Sequence, residues 1–141
     1  MTNTSNLLKL LKKNQLSLTR PRRLVFELLG NSKEPLSIQE ITLPLGNMID
    51  RASVYRTIDL FEKLEIVKKV YVGFKYKIEL GEIFQPHHHH VYCTKCGKTF
   101  GFEEPKFIDE YIDKLGKEFE VEITSHNFEL EGICRNCNKI S

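Results

Sequence analysis

The amino-acid sequence predicts an α+β protein made of two small domains. One reason is that amphipathic helical patterns are followed by short alternating strands twice along the 141 residues. Another is the uneven distribution of charge: residues 1–80 hold 14 basic and 8 acidic residues, whereas residues 81–141 hold 7 and 11. All four cysteines and all five histidines lie in the second half. We therefore expect the first half to bind a polyanion and the second half to bind cations.

The sequence carries no signal for a membrane or for secretion. No apolar run approaches the ~20 residues of a membrane span, and the first six residues lack the charged and apolar regions of a signal peptide. We therefore expect a cytoplasmic protein with no membrane partner. In a reducing compartment, paired cysteines are more typical of metal sites than of disulfides.

The first part of the chain predicts two helices. Leucines at residues 7–11 share one face of the first helix, and the second helix follows Thr19 and ends at Gly30. The first turn of the second helix carries three arginines: Arg20, Arg22 and Arg23. Cations at a helix N-terminus oppose the helix dipole, so a phosphate ligand explains them better than stability does. The alternative is that they are solvated surface arginines.

The next two helices predict a helix-turn-helix. Ser37 and Glu40 form a capping box, and Pro44 limits this helix to about two turns. The helix at residues 50–64 turns Val54 and three further apolar residues toward a core. Its other side carries side chains that can hydrogen-bond to phosphates or base edges: Arg51, Ser53, Tyr55, Arg56 and Thr57.

A basic β-hairpin follows the helices. Apolar residues alternate from Val67 to Ile78, Gly73 stands at the bend, and four lysines are interleaved, among them Lys75. Helices and hairpin in this order predict a winged helix, that is, a helix-turn-helix plus a β-hairpin wing. We therefore predict a DNA-binding domain over residues 1–80, with Lys75 among its DNA contacts.

The segment 81–86 breaks all periodicity and is predicted to be a hinge before a second domain at residues 87–141. Two C-x-x-C pairs lie in that domain, Cys93 with Cys96 and Cys134 with Cys137. Two such pairs supply the four thiolates of a closed tetrahedral zinc site. Two disulfides, redox-active pairs and a rubredoxin-like iron site are the alternatives, and reducing conditions together with the two-pair spacing favour zinc.

Four consecutive histidines, His87 to His90, lead into the first cysteine pair. They lie in mid-chain, unlike a purification tag, and they belong to a predicted strand. Alternate side chains of a strand share a face, so one strand can serve two metal sites. The helix that starts at Pro105 adds carboxylates such as Asp109, and His126 lies between two later apolar segments predicted as strands. The alternative is solvated imidazoles without a ligand role.

Several motifs together resemble the ferric uptake regulator family. They are Thr19-Arg20-Pro21-Arg22, Ala52-Ser53-Val54-Tyr55-Arg56-Thr57, the histidine strand leading into Cys93-x-x-Cys96-Gly97-Lys98, and Cys134-x-x-Cys137. The resemblance covers nearly the whole chain. It implies a metal-responsive, homodimeric transcriptional repressor with an N-terminal winged helix and a small C-terminal α/β dimerisation domain that carries a four-cysteine zinc site.

The resemblance also implies roles for single residues. The four cysteines match structural zinc ligands, and Tyr55 and Arg56 match residues of the DNA-reading helix. A second site in the dimerisation domain is implied for His87, His89, Asp109 and His126. A regulatory site at the hinge is implied for His88, His90, Glu103 and either Glu79 or Glu82. Two positions depart from the family pattern: Pro35 replaces a common histidine, and Gly101 replaces an acidic residue.

These inferences predict a repressor that binds a palindromic operator in double-stranded DNA as a homodimer. Zn²⁺ is expected as the structural ion, and Fe²⁺, Zn²⁺ or Mn²⁺ as the regulatory ion, with iron first and zinc second. An enzyme with a small organic substrate is not expected, because no cysteine or serine stands beside a catalytic base. A peroxide-sensing regulator on the same scaffold and a zinc-ribbon protein with a nucleic-acid-binding or structural role remain the alternatives.

Overall fold

The computed structural model describes residues 4–139, and the chain divides into two compact units, one ending at Pro86 and one starting at His87. The outermost residues of the predicted domains, 1–3 and 140–141, lie outside the described part. The first unit contains α1 (Thr4–Lys13), α2 (Arg20–Asn31), α3 (Ile38–Leu45), α4 (Arg51–Lys63), β1 (Val67–Val72) and β2 (Lys75–Leu80). The second contains β3 (His88–Cys93), β4 (Thr99–Glu103), α5 (Lys106–Phe119) and β5 (Glu129–Gly132). The predicted α+β class is confirmed.

The first unit folds around an apolar core that its four helices and the hairpin share. Among residues 4–139, every member of the buried apolar cluster lies between Leu7 and Leu80. Phe26 of α2 and Phe61 of α4 are its largest side chains and are completely buried. The helices are therefore held by their apolar faces, which leaves the first turns of α2 and α4 at the surface.

Caps fix the ends of the helices in the predicted helix-turn-helix. Ser37 Oγ accepts a hydrogen bond from the Glu40 amide at 3.1 Å, and the Glu40 carboxylate accepts one from the Ser37 amide at 3.2 Å, so the capping box is present. Asp50 caps α4 by accepting from the Ser53 amide at 3.3 Å. Thr19, which the second helix is predicted to follow, occupies the N-cap position of α2, although its side chain makes no cap hydrogen bond.

The hairpin ends in a two-residue loop. Val72 pairs with Lys75, which leaves Gly73 and Phe74 to connect the antiparallel strands β1 and β2. Gly73 has φ of +66°, and Phe74 keeps an ordinary negative φ. A glycine at the first loop position is the arrangement of a type II′ turn, whose twist matches that of the strands.

The second unit is a three-stranded sheet in the order β4-β3-β5 with one helix. The strand β3 is antiparallel to β4 and parallel to β5, so the end of β3 and the end of β5 lie side by side. Although α5 is strongly amphipathic, none of its residues is buried. The exposed side chains include three large aromatic residues: Phe107, Tyr111 and Phe119.

Of the two apolar segments predicted as strands around His126, the first, at Val121 and Ile123, forms no strand within the described residues, so this prediction is wrong. Glu120 adopts the left-handed conformation with φ of +53°, and the Val121 amide donates to Gly116 O at 2.9 Å. The alternating apolar pattern therefore lies on a chain whose backbone closes the end of α5 instead of joining a sheet. No helix within residues 4–139 has the length and apolar character needed to cross a lipid bilayer.

Candidate metal centres and nucleic-acid face

The parallel pairing of β3 with β5 brings the two cysteine pairs together. Cys93 ends β3, and Cys134 follows β5, whose last residue Gly132 pairs with Cys93. The four sulfur atoms lie within 4.8 Å of one another, and Cys96 Sγ is 3.7 Å from Cys134 Sγ. The predicted cysteines thus form one cluster instead of two separate pairs. Gly97, with φ of +77°, allows the tight turn behind the first pair.

The hydrogen bonding of the sulfur atoms fits a bound cation. The Cys134 amide donates to Cys93 Sγ at 3.3 Å, and this bond, together with that from the Cys96 amide, lowers the pKa of Cys93 to about 6. Hydrogen bonds with the sulfur atoms of Cys134 and Cys96 raise the pKa of Cys137 to about 12. Without a cation, Cys93 therefore favours its thiolate form, whereas Cys137 favours its neutral thiol form. Zn²⁺ removes that conflict because it binds all four as thiolates.

One face of the histidine strand forms a second cluster. His87 Nε2 lies 3.2 Å from His126 Nε2, and His89 Nε2 lies 2.7 Å from Glu104 Oε1. His126 also contacts the Glu104 carboxylate. The ligand atoms of all four residues lie within 4.8 Å of one another. Three imidazole nitrogens and one carboxylate oxygen are a donor set that suits divalent iron, zinc or manganese.

The carboxylate in this cluster comes from Glu104, whereas the sequence pointed to Asp109. His88 pairs with Glu103 in the antiparallel ladder, so Glu104 follows β4 opposite His87. Hydrogen bonds with His89, Asp109 and His126 lower the pKa of Glu104 to about 2. The hydrogen bond with Glu104 raises the pKa of Asp109. Glu104 is therefore ionised at neutral pH, and Asp109 contacts Glu104 instead of contributing one of the four clustered ligand atoms. Sequence analysis missed Glu104 because the register of β4 is not visible in the periodicity.

The other face of β3 carries the second histidine pair. The rings of His88 and His90 lie 4.7 Å apart, and Glu103 pairs with His88 in the ladder with β4. Glu129, which sequence analysis also missed, places its Oε1 3.7 Å from His90 Nδ1. Gly101 pairs with His90, and a β-carbon there would lie 3.5 Å from the His88 ring. Within the second unit, this face therefore carries two imidazoles with two carboxylates beside them.

The two remaining carboxylates predicted for the regulatory site belong to the first unit. Glu79 lies in β2, where its Oε1 is 3.5 Å from Lys68 Nζ. Glu82 is exposed just after β2. A role for either residue beside His88 and His90 stays a prediction.

Most of the residues predicted to bind DNA lie at the surface of the first unit. Exposed side chains are Arg20 on α2, Arg51, Tyr55 and Arg56 on α4, and Lys75 on the hairpin. Arg22 and Ser53 are half-buried: the Arg22 guanidinium donates to Ser17 O at 2.6 Å, and that of Arg56 donates to Ser53 Oγ at 3.1 Å. These bonds hold the two guanidinium groups in place before any ligand binds.

Thr57 departs from the expected exposed position. It is only 5% exposed, because it follows Val54 by three residues and precedes Phe61 by four, on the apolar face of α4. It contributes to a cleft of about 300 Å³ between α2 and α4, which Arg22 and Arg56 also line. Contact between Thr57 and DNA stays a prediction, and any such contact has to be made from within this cleft.

Comparison with known proteins gives one consistent match. The model of the ferric uptake regulator family matches residues 13–131. The ferric uptake regulation protein of Haemophilus influenzae is 33% identical over 136 residues, covering 93% of this chain and 91% of the relative. That of Campylobacter jejuni is 30% identical over 136 residues, covering 92% and 85%.

Solved structures show the same likeness. The Helicobacter pylori ferric uptake regulator, described with three functional metal-binding sites, has a TM-score of 0.82 at 26% identity and covers 97% of this chain and 92% of its own. The Vibrio cholerae regulator, described with a rearrangement of its DNA-binding domains, has a TM-score of 0.72 at 29% identity and covers 89% and 98%.

Proposed function

Because this chain belongs to the ferric uptake regulator family, we propose that it is a metal-dependent repressor that binds a palindromic DNA operator as a homodimer. Membership makes it a metal-responsive transcription regulator, and its relatives are regulators and not enzymes. The observation that carries the proposal is the histidine strand β3, which presents imidazoles on both faces and ends in the four-cysteine cluster. Metal ions bound on the two faces of β3 and at its end would all be held by the same small sheet.

The four cysteines are proposed to hold a structural Zn²⁺. Their cluster ties the end of β3 to the chain after β5, so the ion fixes two segments that are 38 residues apart in sequence. The second unit has little apolar packing of its own, and Tyr92 and Cys93 are its buried apolar residues within the described chain. Coordination bonds supply the stability that such a small unit lacks.

Sensing is assigned to the two faces of β3. His87, His89, His126 and Glu104 form one proposed site, with Asp109 behind the carboxylate. His88 and His90 form the other, with Glu103 or Glu129 and, from the first unit, Glu79 or Glu82. The donors on both faces are nitrogen and oxygen, which suits Fe²⁺, Zn²⁺ or Mn²⁺, with iron proposed first.

DNA reading is assigned to the exposed first turns of α4. Tyr55 and Arg56 reach base edges and phosphates, while the arginines of α2 and the lysines of the hairpin contact the sugar–phosphate backbone of the DNA. Two copies would present two such helices to successive major grooves, about 34 Å apart. The exposed aromatic face of α5 is proposed to be where the copies meet.

The test selects duplexes from a random pool with the wild-type chain and then measures affinity by gel shift with chelator and with each metal returned separately. Metal coupling of 1–3 kcal/mol raises affinity by about 5- to 150-fold. If neither the chelator nor any added metal changed the affinity for the selected palindrome, the proposal would be contradicted. Arg56→Ala should lose specific binding at unchanged zinc content, and Lys117→Ala on α5 is the control.

A further inference from the structure

The tip of the hairpin carries a feature that the proposed contacts do not use. Phe74, the second residue of the two-residue loop, is fully exposed. Burial of a phenylalanine side chain is favourable, so one held entirely in water would gain from being covered by a ligand.

The hairpin holds Phe74 in a defined place. The strands β1 and β2 are six residues long, about 20 Å, and their inner ends are anchored by the buried residues Val67 and Ile78. The type II′ geometry at Gly73 fixes the direction of the loop, and no atom beyond the two adjacent residues lies within 4 Å of a β-carbon placed at Gly73. The tip is therefore a narrow, uncovered projection.

The surroundings of Phe74 indicate which ligand would cover it. Residues 67–80 carry four lysines and one glutamate, which gives a net charge of +3. Tyr71 is 60% exposed and packs edge-on against Tyr76, and the Lys69 ammonium lies 4.6 Å from the Tyr76 ring. Lysines are depleted at protein–protein interfaces, whereas interleaved aromatic and basic side chains are typical of nucleic-acid-binding surfaces.

We propose that Phe74 is an apolar wedge that enters the minor groove of duplex DNA beside the site read by α4 and partly unstacks one base step. This inference rests on the proposed function, because it places the wing on the same duplex. A minor groove about 6 Å wide admits a single aromatic side chain, and phenylalanine is among the residues that kink DNA in this way. Lys75, next in sequence, then lies where it contacts a flanking phosphate.

Insertion of Phe74 predicts a preference for certain base steps that hydrogen bonds to the bases do not explain. Pyrimidine–purine steps unstack most easily, so the operator should favour such a step where the wing lands, outside the bases that α4 reads. The duplex should also be bent toward the major groove.

A fluorescence experiment tests the insertion directly. The chain contains no tryptophan, so the F74W variant carries a single tryptophan at the tip. The probe is the duplex that the wild-type chain selects from a random pool in the presence of Mn²⁺. Stacking against bases should quench the tryptophan emission and protect it from acrylamide. Unchanged emission at saturating duplex would overturn the wedge, as would a change produced by raising the protein concentration without DNA.

Affinity separates the wedge from simple charge attraction. Phe74→Ala should bind the selected duplex about tenfold more weakly with an unchanged salt dependence, while Lys75→Ala should lower the salt slope by about one. Phe74→Leu, which keeps an apolar wedge, should restore most of the affinity and of the bend measured by energy transfer between the duplex ends.

Phe100→Ala is the matched control. Phe100 is also an exposed phenylalanine beside a lysine, with Lys98 Nζ 5.3 Å from its ring, but it lies in the acidic second unit. Equal losses for Phe74→Ala and Phe100→Ala, or wild-type affinity and bend in Phe74→Ala, would overturn the wedge alone. A wild-type chain that selects no duplex would overturn both the wedge and the proposed function.

Discussion

Single substitutions can distinguish the roles of the two neighbouring carboxyl groups beside the histidines, those of Glu104 and Asp109. Glu104→Gln should abolish metal binding at the site of His87, His89 and His126, because it removes the ionised oxygen nearest the imidazoles. Asp109→Asn should keep the ion but weaken its affinity by about 10- to 100-fold, as expected for a residue that supports a ligand. Metal content by mass spectrometry and titration calorimetry on zinc-loaded protein measure the two effects.

Asp113→Asn on the same helix is the control and should bind metal like the wild-type chain. A chain that keeps the ion after Glu104→Gln and loses it after Asp109→Asn would contradict the structure and favour the ligand that the family resemblance implied.

The individual ligands show what the sequence can and cannot predict. Cysteine spacing and the alternation of a strand suffice to predict the thiolate cluster and to separate His87 and His89 from His88 and His90, as the structure has them. Glu104 depends on the pairing of β4 against β3, which is set by the turn between the strands and not by any periodicity. Thr57 was misplaced because a polar residue at a helical spacing of three from Val54 still falls on the apolar face.

At the scale of single elements, the cap of α4 makes the stability of the first unit depend on pH. The hydrogen bond from the Ser53 hydroxyl, followed by that from its amide, lowers the pKa of Asp50. A lowered pKa in the folded state means that the carboxylate stabilises the fold at neutral pH and loses this effect as the pH falls through the lowered value. Asp50→Ala should therefore reduce the free energy of unfolding at pH 7, and the difference should vanish in acid.

Urea unfolding of metal-free protein, followed by circular dichroism, measures this difference without a contribution from metal release. Asp59→Ala, an exposed change within the same helix, is the control. A loss that stays constant from pH 7 into acid would show that the Asp50 cap does not act through its charge.

The exposed aromatic face of α5 predicts that two copies of the chain associate through this helix. Its aromatic side chains gain from burial that the single chain does not provide, since Phe107 is 67% exposed. Phe107→Glu should convert a dimer into a monomer in sedimentation velocity experiments, because a charge would be buried unpaired. Lys117→Glu, on the opposite side of α5, should leave the dimer intact. A wild-type chain that sediments as a monomer would remove this role for α5.

The helices and the hairpin could be predicted from local sequence signals. The strand predicted at Val121 does not form, and the reason is non-local. The capping box at Ser37 and the glycine at the hairpin bend specify their structures within four residues. A strand needs a partner, and the segment at Val121 has its amide bonded to Gly116 instead.

At the scale of the whole molecule, the two units are stabilised by different means. The buried apolar cluster of the described chain is confined to residues 7–80, so we expect the first unit to fold without metal. Metal removal should therefore abolish amide protection in β3 and β5 while α2 and α4 keep theirs, which hydrogen exchange with mass spectrometry measures. Returning Zn²⁺ should restore the protection. Equal loss in α4 and β3 would show that the first unit depends on the metal as well.

The confinement of the apolar core to one unit also bears on how long the protein survives. We expect a chain depleted of metal to keep a folded first unit, while the segment from His87 onward becomes accessible to proteases. Degradation follows the population of such opened states, so metal supply would control the amount of the regulator as well as its activity. Metal starvation would then leave behind a basic fragment that still carries α4, the helix proposed to read DNA.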